Sequence, residues 1–204
     1  MVMTIKILLL IHGYTSNKES MSKIKKELEK IYDEIISIDL PGHGENKLKF
    51  NLKNTLKYCI NCYDYLAKRG SVDICGHSLG GMLASYIASI RNVNKLVLLA
   101  PSFQILFDIG ALKPSNRATN NKRFQSPIAF YNIYSYIRSN IRTIYCPCLV
   151  IFGENDKVIS KSSIDFVLSK TMNKRIAIVF KNNNHISILQ ANDVIKTINN
   201  FLIE

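Results

Sequence analysis

The sequence predicts an α/β protein, a compact six-stranded parallel sheet flanked by helices. Short, near-continuously apolar runs recur along the chain, and stretches with helical spacing of apolar residues lie between them. A strand that is apolar without alternation is buried on both faces, and helices covering both faces of a parallel sheet produce that burial. At 204 residues and 47% hydrophobic content, the chain suits one domain over 1–204 with a substantial core.

The elements follow in order. Ile5–Ile11 reads as the first strand, too short to span a bilayer and running directly into His12-Gly13. A helix is expected over about Lys18–Ile31, with Ser16 and Glu19 spaced as a capping box and Met21, Ile24, Leu28 and Ile31 on one face. Glu34–Leu40 reads as the second strand, broken by Pro41-Gly42-His43-Gly44. A helix over about Asn54–Lys68 stops at Gly70, and residues 72–76 form a strand. Leu79–Ile90 carries apolar residues at 79, 82, 83, 86, 87 and 90 and reads as a helix. Lys95–Ala100 is a strand ended by Pro101. Residues 102–125 show no clear period, whereas 127–141 looks helical. Cys148–Gly153 and Arg175–Phe180 are the last strands, separated by a helix near Ser162–Ser169 and followed by one over about Ile188–Leu202.

Composition narrows the function classes. The formal net charge of +12 would suit a polyanion, but the basic residues run from Lys6 to Lys196, mostly at polar helix positions such as Lys18, Lys23, Lys25, Lys26 and Lys30. No nucleic-acid motif accompanies them, so nucleic acid is not expected as a partner. Nor is stable membrane insertion. Five cysteines are an odd number, and Cys146-Pro147-Cys148 opens an expected buried strand, a poor setting for a disulfide framework. Cys59 and Cys62 make a single C-x-x-C on a helical stretch with Leu56, Tyr63 and Leu66, and they read as core thiols. A cytoplasmic protein, monomeric or homodimeric, is expected.

The chemistry centres on Gly76-His77-Ser78-Leu79-Gly80, followed by Gly81. Between a strand and a helix, a G-x-S-x-G turn strains the serine backbone and exposes its hydroxyl above the sheet, while the glycines allow strand and helix to pack closely. A serine hydroxyl needs a base, and the base needs an acid to fix its tautomer. Of the four histidines, His12, His43 and His77 sit beside glycines in turns, while His185 follows the last strand. All strand carboxyl ends of a parallel sheet open on one edge, so His185 can meet Ser78 there. Gly153-Glu154-Asn155-Asp156 places Asp156 after another strand as the acid, with Glu154 and Asp108 as the other candidates. The chain order is then Ser78, Asp156, His185.

These segments, with Ile11-His12-Gly13-Tyr14 and Ile38-Asp39-Leu40-Pro41-Gly42-His43-Gly44, make the chain resemble the α/β-hydrolase superfamily, in particular its small carboxylesterase and monoacylglycerol-lipase-like members. The likeness covers the chain except 102–145. It implies an oxyanion hole made of the backbone N–H groups of Tyr14 and Leu79, which leaves the Tyr14 ring to shape the substrate pocket. Two departures stand out. The two antiparallel strands that usually open this fold are not recognisable, and the excursion before Cys148 is short for a full cap domain. Taking 127–141 as a sheet-covering helix leaves a small lid at about 102–125, where Phe103, Ile105, Leu106, Phe107 and Ile109 fit either an acyl pocket or ordinary core.

The expected function is hydrolysis of small-molecule carboxylic esters of short to medium acyl chains through an acyl-enzyme, with no metal and no organic cofactor. A thioesterase acting on an acyl-CoA or acyl-carrier thioester would use the same triad, with Lys113, Arg117, Lys122 and Arg123 available to a phosphate. A non-catalytic binding module on the same fold is the alternative of another class.

Overall fold

The computed structural model describes residues 5–106 and 126–204. Among them, β1 (Ile5–Ile11), β2 (Glu34–Ile38), β3 (Gly70–His77), β4 (Leu96–Leu99), β5 (Cys148–Gly153) and β6 (Arg175–Phe180) form one sheet in the order β2-β1-β3-β4-β5-β6. Every strand pair in it is parallel. The central strands are continuously buried, as their apolar runs require, whereas β6 alternates between exposed and half-buried positions because it lies at the sheet edge.

The helices differ from the sequence expectation mainly at their starts. Lys18–Met21 is a 3₁₀ turn capped by Asn17, whose side chain accepts the Glu19 N–H at 3.1 Å, so Asn17 and not Ser16 is the cap. Helix α1 covers only Ser22–Leu28. Helix α2 runs Leu52–Ala67 behind an Asn51 cap, α3 runs Leu79–Ile90, and α4 runs Pro127–Asn140 behind a Ser126 cap. Helix α5 spans Ser162–Lys170. The final helix is split: Ser187–Leu189 forms a 3₁₀ turn, Ala191 is extended, and α6 spans Asn192–Ile203. Cys59 is fully buried in α2, as a core thiol.

Register places the strand ends on one edge. Ile11 pairs with Ile38 and Gly76, His77 with Leu99, Leu99 with Ile151, and Gly153 with Phe180. The loops carrying Tyr14, Ser78, Asp156 and His185 therefore leave the sheet on the same side. The excursion after β4 begins under restraint: Leu106 N donates to the Val158 carbonyl, Ser160 N to that of Gln104, and Gln104 N to Ser163 Oγ. Phe107, Asp108, Ile109 and the basic set Lys113, Arg117, Lys122 and Arg123 lie outside the described residues, as does most of the expected lid.

Helix α3 crosses β1 at van der Waals limits. A Cβ on Gly80 would stand 2.1 Å from the Ile11 carbonyl oxygen and 2.5 Å from that of His12. Backbone atoms cannot yield as a side chain can, so Gly80→Ala is expected to cost more than about 3 kcal/mol. The control is Gly81→Ala, where the nearest atoms stand 3.1 Å away and better helix propensity offsets part of the strain. Urea denaturation of both variants checks this; equal stability would contradict it.

Candidate active site

Ser78 sits between β3 and α3 with φ 54° and ψ −116°, a backbone conformation that L-residues rarely adopt. It is held from both sides. Its N–H donates to the Leu99 carbonyl at 2.9 Å, while its own carbonyl accepts from Met82 at 3.1 Å and Ser102 at 3.2 Å. Leu79 is the first residue of α3, where a backbone N–H has no intrahelical acceptor.

The geometry joins His185 to Asp156. His185 Nδ1 lies 2.8 Å from Asp156 Oδ2, and since an ionised carboxylate only accepts, Nδ1 carries the proton and Nε2 of the neutral ring is an acceptor. Asp156 Oδ1 also accepts the N–H groups of Val158 at 2.8 Å and Ile159 at 2.9 Å. Burial works to raise the Asp156 pKa, but the His185 hydrogen bond and charge, together with these two amides, outweigh it and hold the carboxyl below its ordinary value. Glu154, by contrast, is exposed. His185 and Ser78 are both buried, and the ring of His77, Ser78's neighbour in the chain, is 4.7 Å from that of His185.

The remaining histidines act on backbone, a role that residue types alone did not reveal. His12 Nδ1–H donates to the Gly13 carbonyl at 2.7 Å and Nε2 accepts from Leu40 N at 3.0 Å. His43 Nδ1–H donates to the Pro41 carbonyl at 2.9 Å and Nε2 accepts from Thr15 N at 3.2 Å, where Thr15 has φ 60°. Together they brace the loop that carries Tyr14. The only sequence signal was a histidine beside a glycine after a strand. The Tyr14 ring packs on Phe130 at 5.0 Å, Phe50 at 5.6 Å and His43 at 5.9 Å, and burial pushes its pKa up to about 12.

Of the acyl-pocket candidates, Phe103 is fully buried and stacks on Phe166 at 4.7 Å, which is core packing, while Leu106 is 55% exposed. A groove of about 810 Å³ lies elsewhere, lined by Tyr63, Lys68, Gly70, Arg91, Asn94 and Cys146 at the amino ends of the strands. Several of its polar groups are engaged: Arg91 with Asp64, the Tyr63 hydroxyl with the Asn92 carbonyl, and Asn94 with Asp73.

The model of the Alpha/beta hydrolase family matches residues 8–137, which include the serine turn and both histidine-bearing loops before it. The chain belongs to the α/β-hydrolase family. It is 23% identical over 197 residues to a carboxylesterase of Bacillus subtilis, covering 81% of this chain and 78% of that one. Among solved structures, the monoacylglycerol lipase of Paleococcus ferrophilus superposes with a TM-score of 0.76 at 15% identity, covering 97% of this chain and 93% of the other. Est1E of Butyrivibrio proteoclasticus, solved with ferulic acid bound, gives 0.76 at 17% identity, covering 98% and 89%. Among the described residues, no helix of this α/β hydrolase is long and apolar enough to cross a membrane.

Three buried histidines are expected to make this α/β hydrolase sensitive to acid. Burial lowers the pKa of His12 from the ordinary 6.5 to about 4, and those of His43 and His77 to about 3, the neighbouring histidine charge adding to the last two. The unfolded chain therefore binds more protons below pH 6.5, so stability is full above that value and is lost as pH falls towards the folded pKa values. Each histidine contributes a slope of up to about 1.4 kcal/mol per pH unit in that window. Urea midpoints should thus fall steeply between pH 6.5 and 4; a flat profile there would mean that these rings are protonated in the fold.

Proposed function

We propose that this α/β hydrolase cleaves carboxylic esters of short to medium acyl chains in the cytoplasm through an acyl-enzyme on Ser78. The reading rests on one observation, the strained serine at the end of β3 on the same sheet edge as the His185–Asp156 pair. The carboxylesterase relative and the lipase and Est1E likenesses support the reaction class.

In this mechanism, Ser78 Oγ attacks the ester carbonyl carbon while His185 Nε2 takes its proton. The resulting oxyanion is met by the N–H groups of Tyr14 and Leu79, each such donor contributing about 3–4 kcal/mol to the transition state. As the tetrahedral intermediate collapses, the bond from carbon to alkoxy oxygen breaks and the His185 proton passes to the leaving alcohol. Water then attacks the acyl carbon, giving a proton to His185. The bond from Ser78 Oγ to carbon breaks, the proton returns to the serine, and the carboxylic acid leaves. Throughout, Asp156 keeps the Nδ1 proton on the ring and stabilises the imidazolium.

A fluorophosphonate probe should add once per chain, at Ser78, as read by intact mass and peptide mapping. Ser78→Ala is expected to lower kcat by about 10⁶-fold. Labelling at another serine, or turnover by that variant, would sink the proposal. Asp156→Asn should remain folded and lose roughly 10⁴-fold in kcat, because an amide favours the wrong histidine tautomer. A larger loss in Asp108→Asn would move the acid to the stretch after β4.

Acyl length is open to a separate test. Each buried methylene is worth about 0.8 kcal/mol, so kcat/KM for p-nitrophenyl esters should climb with chain length to an optimum between about four and ten carbons and then drop. Leu106→Ala and Phe107→Ala should shift that optimum if these side chains line the acyl site; a lowered melting point with the optimum unmoved gives them a core role. Acyl-CoA preferred by more than about tenfold, and lost when Arg117 and Arg123 are reversed to glutamate, would make the thioester the substrate.

A further inference from the structure

His77 stands between Gly76 and the nucleophile candidate, yet its ring faces the interior and is 2% exposed. Its Nε2 lies 2.8 Å from the main-chain carbonyl oxygen of His185, across 108 residues of chain. A carbonyl only accepts, so Nε2 carries the proton. The two imidazole planes are tilted by 43° with centroids 4.7 Å apart. In this tautomer, Nδ1 is an acceptor, and it meets no donor among the described residues. Gly13 closes that side: a Cβ there would stand 3.1 Å from His77 Nδ1 and 3.1 Å from Ser78 Cβ.

An orphaned buried acceptor is a cost that an apolar side chain of similar size would avoid. Packing alone therefore does not explain a histidine here, and what remains is the bond made by the other nitrogen. Asp156 restrains only one edge of the His185 ring, which leaves its main chain and tilt to be fixed by something else.

We infer that His77 is a positioning residue: its Nε2–H anchors the main chain of His185 and its ring buttresses the imidazole, so that the base is held against the turn that carries Ser78. The inference rests on the proposed hydrolase reading, and it ties base and nucleophile together through two residues adjacent in sequence.

The test compares His77→Gln, His77→Asn and His77→Leu in the full chain. A glutamine amide nitrogen reaches about as far as imidazole Nε2, whereas that of asparagine reaches only as far as Nδ1. Asn and Leu are expected to lower kcat on p-nitrophenyl butyrate by about 10- to 100-fold with KM within about twofold, and Gln to recover the rate to within about threefold. The low-field proton resonance of His185 Nδ1–H should shift or broaden in Asn and Leu and persist in Gln. Equal rates in Gln and Asn overturn the inference. So does a rate loss that merely follows the melting temperature while the resonance stays unchanged. Should the Leu variant fail to fold, the Gln and Asn pair decides. The resonance is read without substrate, so it tests His77 even if the wild type hydrolyses no ester, an outcome that would instead overturn the hydrolase reading.

Discussion

A serine at φ 54° and ψ −116° is a conformation that the chain would leave at once if its backbone were released. The Leu99 carbonyl holds its N–H, and the amides of Met82 and Ser102 hold its carbonyl. Those partners come from β4, from α3 and from the loop after β4, so the turn depends on the sheet register and on how closely α3 approaches β1. Other non-glycine residues with positive φ lie at the same edge: Thr15 after β1, Ala100 after β4 and Asn182 after β6. Local strain of about 1–3 kcal/mol at each such residue is sustained by the buried parallel sheet beneath them.

The chain has four histidines, and all of them stand at that edge. His12 and His43 bond to backbone through both ring nitrogens and His77 through Nε2 alone, while His185 bonds to a carboxylate through Nδ1. Among the described residues, only the ring of His185 hydrogen-bonds a carboxylate; the nearest one to His12, Asp39, stands 3.9 Å from Nε2, which is already engaged by the Leu40 N–H. The same residue type thus serves as scaffold three times and as candidate base once, and what separates the roles is the partner of each nitrogen.

Much of the fold was legible because its signals are local. Continuous apolar runs marked the central strands, since a strand covered on both faces cannot alternate, and an apolar run marked β6 as well although its burial at the sheet edge alternates. Helix starts were less legible: Ser16 and Asn17 are both good caps, and Asn17 won where Thr15 turns through positive φ and the chain enters a 3₁₀ turn. The last helix read as one because Ile188 and Ile195 keep helical spacing across Ala191, whose extended backbone breaks the run. At the site, residue types and their order suggested Ser78, Asp156 and His185. The braces by His12, His43 and His77 were hidden, because their bonds reach across 28 residues or 108 and no local pattern encodes such reach. Phe103 looked equally fit for pocket or core, since apolar character does not tell one from the other.

The stretch between Leu106 and Ser126 is fastened at both ends before it begins. On one side, residues 104–106 are bonded to the loop after Asp156; on the other, Ser126 caps α4. Loop-closure entropy grows only slowly with length, each doubling costing about 0.6 kcal/mol, so such anchors tolerate inserts of very different size. The two junctions thus make a cassette frame: an insert of another length would enter and leave through bonds made by residues on either side of it, without disturbing the loop after Asp156 or the start of α4.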